Sequence, residues 1–128
     1  MAEIKKVYNI GVEATMEVIG GKWKPIILCH LRNQTLRTGE LKRAIPNITQ
    51  KMLTQQLREL EDADIVERHV YNQVPPKVEY CLSAYGETLS VILNKLCVWG
   101  EKHIDLLNEN GQKIELINRD AVPVIETK

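Results

Sequence analysis

The chain has 128 residues, of which 44% are hydrophobic and 27% charged, and its 17 Lys and Arg balance 17 Asp and Glu. This length suits one domain with a single core and argues against two. No apolar run approaches the length of a membrane span, and no signal peptide is visible at the N-terminus. We therefore expect a cytoplasmic protein without a membrane partner.

Three cysteines, Cys29, Cys81 and Cys97, show no CxxC spacing, and their odd number argues against a disulfide framework or a zinc site. We interpret them as small buried hydrophobes, with oxidation of Cys97 between subunits as the less favoured alternative. Cys29 and His30 are adjacent, so on a helix they point about a hundred degrees apart and do not form a nucleophilic pair. We expect no metal, no cofactor and no enzymatic activity.

Apolar spacing predicts three helices in the first part of the chain, over residues 11–19, 23–31 and 39–45. The second is apolar nearly all round and should be buried. Thr38 is expected to cap the third helix, because a Thr hydroxyl accepts a hydrogen bond from a free backbone N–H of the first turn.

The stretch TQKMLTQQLRELE, residues 49–61, predicts a helix that is capped by Thr49 and has two different faces. The apolar face carries Met52, Leu53, Leu57 and Leu60. The other face is polar or basic, without a carboxylate, and carries Gln50, Lys51, Thr54, Gln55 and Arg58. Such side chains hydrogen-bond to base edges and phosphates, which predicts a DNA-recognition helix; a merely polar helix exterior is the alternative.

Charge is segregated along the chain although the net charge is zero. Between Arg37 and Arg58 there are five basic residues and one acid, whereas acids concentrate in residues 59–64 and 101–128. A neutral chain with one basic segment is compatible with a protein that binds DNA through a single surface.

After residue 64 the period of the pattern changes. Two short runs of β-branched and aromatic residues, 65–71 and 78–82, predict a hairpin, and two prolines should make its loop, residues 72–77, stiff and projecting. Ser83 should cap a long helix over residues 84–107. The apolar stripe of this helix is wider than one small domain can bury, so we expect a homodimer. The residues expected at the dimer interface are Leu89, Ile92, Leu96, Trp99, His103 and Leu107.

This order of elements predicts a mainly α fold with a small β-hairpin. Helices 39–45 and 49–61 are joined by a short connection, as in a helix-turn-helix, and the hairpin follows them as a wing. The expected architecture is a winged helix-turn-helix with a long C-terminal dimerisation helix.

Three strings match the HxlR-type transcriptional regulators in the same order: VIGGKWK (18–24), NITQKMLTQQLRELE (47–61) and VYNQVPPKVEY (70–80). Tyr85-Gly86 and Trp99-Gly100 follow them. The chain closely resembles this family over residues 8–104, and such long strings are far more specific than a short motif. The resemblance implies a homodimeric bacterial regulator, MarR-like in architecture, that binds inverted-repeat operator DNA.

One position departs from the family pattern. Several members carry a cysteine just before the first helix and use it to sense quinones, aldehydes or oxidants. The corresponding residue here is Ile10, which has no redox chemistry. The resemblance therefore does not bring thiol-based sensing by that route to this chain.

DNA contacts can be assigned by side-chain chemistry. Base reading is expected from Gln50, Lys51, Thr54 and Gln55, although contact with phosphates alone is about equally supported for any one of them. Phosphate contacts are expected from Lys22, Lys24, Lys42, Arg43 and Arg58. Wing contacts are expected from Asn72, Gln73 and Lys77, with a solvated loop lysine as the alternative for Lys77. Arg68 and His69 alternate on a strand, so only one of them can share a face with these contacts.

The sequence thus predicts a sequence-specific DNA-binding transcriptional regulator, a repressor rather than an activator, that associates with the nucleoid when it is bound to DNA. The alternative is a winged-helix protein-interaction module without DNA binding. Residues 1–108 should form one domain that includes the dimerisation helices, and residues 109–128 a tail whose order the sequence does not decide. A cleft beside the long helix is the expected place for an apolar effector, but no residue marks one.

Overall fold

The structure, a computed structural model, describes residues 5–119. Its elements are α1 (Gly11–Ile19), α2 (Trp23–His30), β1 (Leu36–Arg37), α3 (Thr38–Ala44), α4 (Gln50–Asp62), β2 (Val66–Tyr71), β3 (Lys77–Leu82), α5 (Ala84–Glu87) and α6 (Ser90–Glu109). The predicted winged helix-turn-helix is confirmed: α3 and α4 form the helix-turn-helix, and β2 and β3 form the wing. Among the described residues, no helix has the length and apolar character needed to span a membrane.

The wing belongs to a three-stranded antiparallel sheet with strand order β1-β3-β2. Strands β2 and β3 pair without a bulge from Val66 opposite Leu82 to Tyr71 opposite Lys77. Strand β1 adds Leu36 opposite Tyr80. The hairpin was predicted, whereas β1 was not, because two residues are too few to show the two-residue period of a strand.

The core lies where α2, α3, α4 and the sheet meet. Leu53, Leu57 and Leu60 of α4 are at most 1% exposed, as are Ile27 and Leu28 of α2. Burying each such side chain stabilises the fold by about 1.5–3 kcal/mol. The prediction for α2 holds in part, since its outer residue Ile26 remains exposed.

The free backbone N–H groups at the N-termini of α3 and α4 find hydrogen-bond acceptors in different ways. At α4 the predicted cap is confirmed, because the Thr49 hydroxyl accepts a hydrogen bond from the Met52 N–H at 3.1 Å. At α3 the predicted cap is wrong: Thr38 is already the first helical residue. The backbone N–H of Arg37, just before the helix, donates instead to the carboxylate of Glu40 at 2.9 Å. Glu40, the third residue of α3, therefore satisfies a backbone N–H at this end of the helix.

The predicted continuous helix 84–107 is wrong in its first turn, because it divides into α5 and α6 at Thr88 and Leu89. Ser83 caps α5 as predicted, and its hydroxyl accepts from the Gly86 N–H at 2.8 Å. The same hydroxyl donates to the Asp64 carbonyl at 2.5 Å. These bonds hold α5 on the connection between α4 and β2, so the chain must turn before α6 can pack on α2.

The first residues of the predicted tail fold back on α6. Asn108 exchanges two hydrogen bonds with the backbone of Ile114, at 2.7 and 3.0 Å. Arg119 then pairs with Asp105 and lies near Glu101. The rest of the predicted tail, residues 120–128, lies outside the described residues.

Replacing Gly86 by Ala should destabilise the fold by about 1–3 kcal/mol, as for overpacking elsewhere. Gly86 is buried, and an added Cβ would overlap the backbone carbonyl of Ile65. Urea unfolding measures the change. The matched control is Gly39→Ala in α3, where the added Cβ meets only the end of the Arg43 side chain at 3.7 Å. The control should be stabilised by about 0.5–1 kcal/mol; equal stability of the two variants would contradict the proposed close approach.

Candidate nucleic-acid interface

The outward face of α4 brings together the residues expected to read bases. Gln50, Lys51, Thr54 and Gln55 are all exposed, and Arg58 extends the same face. The Gln50 amide donates to the Thr54 hydroxyl at 3.3 Å, one helical turn away. The leucine face of α4 is buried, so these polar side chains point away from the core by helical geometry.

The five lysines and arginines expected at phosphates differ in their surroundings. Arg43 and Arg58 are exposed, and half-buried Lys42 donates to the Pro46 carbonyl at 3.4 Å. Lys22 is exposed and its ammonium lies 4.6 Å from the centroid of the Trp23 ring. Cationic residues near the end of α3 are also favoured by the helix dipole.

Lys24 is engaged within the protein. Its ammonium donates to the Glu59 carboxylate at 2.7 Å, and its side chain is only 15% exposed. The hydrogen bond from Lys24 lowers the pKa of Glu59 below its usual value. This ion pair joins α2 to α4. Lys24 therefore stabilises the packing of α4 and contributes little to the exposed basic surface.

The sequence leaves open whether Arg68 or His69 shares a face with the expected DNA contacts. On β2 Arg68 alternates with His69, and it lines a cavity of about 320 Å³ with Thr54, Arg58, Glu61 and Tyr80. Arg68 therefore shares the α4 side of the sheet, and His69 takes the other side. The two-residue period of the strand shows that Arg68 and His69 lie on opposite faces of the sheet. Only the burial of Val66, two residues before Arg68, shows that the Arg68 face turns to α4.

The wing tip projects into solvent, with Val74 at 99% exposed and Asn72 and Gln73 also exposed. Lys77 is the first residue of β3 and not a loop residue. Its ammonium lies 3.5 Å from the Glu79 carboxylate and 4.9 Å from the centroid of the Tyr71 ring. A DNA contact by Lys77 must compete with both neighbours.

The dimer residues assigned from the sequence do not share one environment. Trp99 is 68% exposed and stacks on His103 with ring centroids 4.9 Å apart. Ile92 and Leu96 are exposed as well, whereas Leu89 packs against the core and Leu107 is half-buried. Further apolar residues outside this assignment are exposed, among them Val91 and Leu106 on α6 and Val12 and Met16 on α1.

The cysteines are half-buried. Cys29 and Cys97, 68 positions apart, have their sulfurs 3.5 Å apart. The Cys81 thiol donates to the Glu67 carboxylate at 3.9 Å, and burial together with this carboxylate raises the Cys81 pKa. Because a raised pKa keeps the thiol protonated at neutral pH, Cys81 is a poor nucleophile as it stands.

A cleft of about 440 Å³ lies between α2 and α6, close to where an effector cleft was expected. Ile26, Cys29 and Leu96 line it, and residues 115–118 form another part of its wall. The lining is largely apolar and carries no group that identifies a ligand.

The chain is similar to known transcriptional regulators in both sequence and structure. An uncharacterized HTH-type transcriptional regulator of Bacillus subtilis (strain 168), YtcD, is 68% identical over 101 residues, which are 79% of this chain and 80% of that protein. The structure of the redox regulator HypR in its oxidized form has a TM-score of 0.70 and 54% identity, covering 71% of this chain and 94% of that chain.

A MarR-family structure from Porphyromonas gingivalis W83 is also similar, with a TM-score of 0.71, 33% identity, and coverage of 77% of this chain and 97% of that chain. The MarR-like architecture expected from the resemblance is thereby confirmed. The family described as HxlR-like helix-turn-helix matches residues 18–108, a span that includes α3, α4, the wing and nearly all of α6. The chain therefore belongs to the HxlR-like helix-turn-helix family and is a transcriptional regulator.

Proposed function

We propose that this regulator binds an inverted-repeat operator as a homodimer and represses transcription by occupying it. The observation that carries the proposal is the outward face of α4 from Gln50 to Arg58, which is exposed and has no carboxylate among its five assigned residues. A helix of this kind fits the major groove, where Gln pairs with adenine, Lys reaches guanine and a Thr methyl touches thymine.

Phosphate contacts would flank this helix. Arg43 at the end of α3 and Arg58 on α4 are exposed, and Arg68 continues the basic surface toward the wing. Contacts of this kind fix the position of the helix in the groove and release counterions, so binding should weaken steeply with salt.

The dimer is supported by the apolar surface of α6. Trp99, Leu96 and Val91 are each at least half exposed, and α1 adds exposed Met16. Large exposed apolar patches rimmed by polar residues mark association surfaces. A two-fold dimer would place two copies of α4 about 34 Å apart, which is the spacing of successive major-groove faces.

Repression would follow if the operator overlaps the promoter, because a dimer bound there would exclude polymerase from the same DNA. The name of HypR says that it is a redox regulator. Here the position before α1 holds Ile10, so we propose that the inducing signal does not act through a thiol at that position.

Gln55→Ala and Arg58→Ala should affect DNA binding in different ways. The first should reduce discrimination between the DNA upstream of the protein's own gene and a scrambled duplex by about 5–150-fold, the equivalent of about 1–3 kcal/mol. The second should weaken binding to both duplexes and reduce the salt slope by about 1. Fluorescence anisotropy at several salt concentrations measures both effects.

The matched control is Lys113→Ala, which removes one exposed cation outside α3, α4 and the wing. Its affinity and salt slope should equal those of the original chain. If the original chain binds neither duplex at low salt, DNA binding is refuted and the protein-interaction module replaces it. If it binds both equally, the operator lies elsewhere or specific binding needs a ligand, and specific binding to the DNA upstream of its own gene by the unliganded protein is contradicted.

Trp99→Glu and Leu96→Asp should each convert the dimer to monomer, because a charge at the centre of an apolar interface is left without a partner. We expect the dimer dissociation constant to rise at least about 30-fold, corresponding to a loss of roughly 2 kcal/mol or more. Sedimentation equilibrium measures the change. Val74→Asp is the control, since it adds a charge at an exposed apolar residue of the wing tip. Dimers in all three variants would show that α6 is not the interface.

A further inference from the structure

The outer face of the wing carries a cluster of three side chains that DNA binding does not use: Glu67 and His69 on β2 and Cys81 on β3. Glu67 lies directly opposite Cys81 in the antiparallel register, and His69 follows two residues along on the same face. Their potential ligand atoms all lie within 4.8 Å of one another. The pairing of two regular strands therefore brings three different donor types to one point.

Two of the three distances between these atoms are close to those between ligands around one tetrahedral ion. With Zn–S of about 2.3 Å and Zn–N and Zn–O of about 2.0–2.1 Å, tetrahedral ligand atoms lie roughly 3.3–3.6 Å apart. The His69 Nε2 is 3.3 Å from the Glu67 Oε1, and the Cys81 sulfur is 3.9 Å from the same oxygen. A side-chain movement of a few tenths of an ångström would bring the sulfur–oxygen distance into this range. The distance from His69 to Cys81 is within 4.8 Å and would have to shorten by at most about 1.2 Å.

The donor set selects the class of ion. Thiolate, imidazole and carboxylate together suit zinc, whereas calcium and magnesium prefer oxygen ligands alone. His69 and Glu67 are exposed, so an ion can reach the cluster from solvent. The half-buried Cys81 forms the inner wall of the site.

We propose that Glu67, His69 and Cys81 form a Zn²⁺ site on the outer face of the wing, with water in the fourth position. On binding, the Cys81 thiol loses its proton to solvent and its sulfur bonds the ion, while His69 gives the Nε2 lone pair and Glu67 a carboxylate oxygen. Burial and the neighbouring Glu67 carboxylate raise the Cys81 pKa in the ion-free protein, and the positive charge of a bound ion would offset both effects by stabilising the thiolate.

The site would join β2 to β3 on the face opposite Arg68. It does not use the residues of α3 or α4 assigned to DNA, so its existence is independent of the proposed operator binding. A bound ion cross-links the wing near the base of the hairpin, and it should therefore raise the midpoint of thermal unfolding of the full chain.

The test is a titration of the reduced full-length chain with Co²⁺, which reports thiolate ligation by a sulfur-to-metal charge-transfer absorption, followed by displacement with Zn²⁺. We expect one ion per chain. Cys81→Ser should abolish the charge-transfer absorption, and His69→Ala should weaken binding at least about tenfold, since even changes to outer-shell partners cost 10–100-fold. Glu67→Gln keeps the shape of the side chain and should weaken binding as well.

Matched controls are Cys97→Ser and His30→Ala, which remove one cysteine and one histidine outside the cluster. Both should bind Co²⁺ as the original chain does. The proposal is overturned if the original chain gives no charge-transfer absorption, or if the absorption survives in Cys81→Ser. In the second case, disappearance of the absorption in Cys97→Ser would place the ion at the Cys29 and Cys97 sulfurs. Circular dichroism of each variant establishes that loss of binding is not loss of fold.

Discussion

Burial of the leucine face of α4 is the constraint on which the proposed DNA-binding surface depends. Leu53, Leu57 and Leu60 are almost completely removed from water by α2, α3 and β2. Because these three residues fix the rotation of the helix about its axis, the side chains between them must face solvent. The Thr49 cap fixes where the helix begins, and the pair formed by Lys24 and Glu59 fastens it to α2. The direction in which the outward face of α4 points is thus a consequence of core packing.

A second constraint is the junction at Ser83, where the wing meets the C-terminal helices. The Ser83 hydroxyl caps α5 and also bonds the carbonyl of Asp64, and the close approach of Gly86 to Ile65 leaves no space for a side chain. This junction sets the direction in which the chain leaves the sheet. It therefore positions the exposed apolar surface of α6 relative to α4, and a dimer formed through α6 would inherit its spacing on DNA from this turn.

The two faces of the hairpin carry different side chains. Arg68 faces the α4 side and extends the basic surface, whereas His69, its neighbour in sequence, faces the opposite side with Glu67 and Cys81. Alternation along a strand allows one short hairpin to present two unrelated chemistries. Lys77 lies on the same face as Cys81, because the two residues are four apart on β3, so the sheet separates the proposed ion site from Arg68 but not from Lys77.

The sequence by itself determined the order of the elements, the hairpin, the Thr49 and Ser83 caps and the two faces of α4, because each depends on the spacing of nearby residues. The resemblance in residues 8–104 also gave the family. Only the tertiary structure decided the break at Thr88, the short strand β1, the engagement of Lys24 and Lys77, and the meeting of Cys29 with Cys97. Apart from the engagement of Lys77, whose neighbours Tyr71 and Glu79 are close in sequence, these features depend on contacts between residues far apart in the chain. Local periodicity carries no information about which distant surfaces meet.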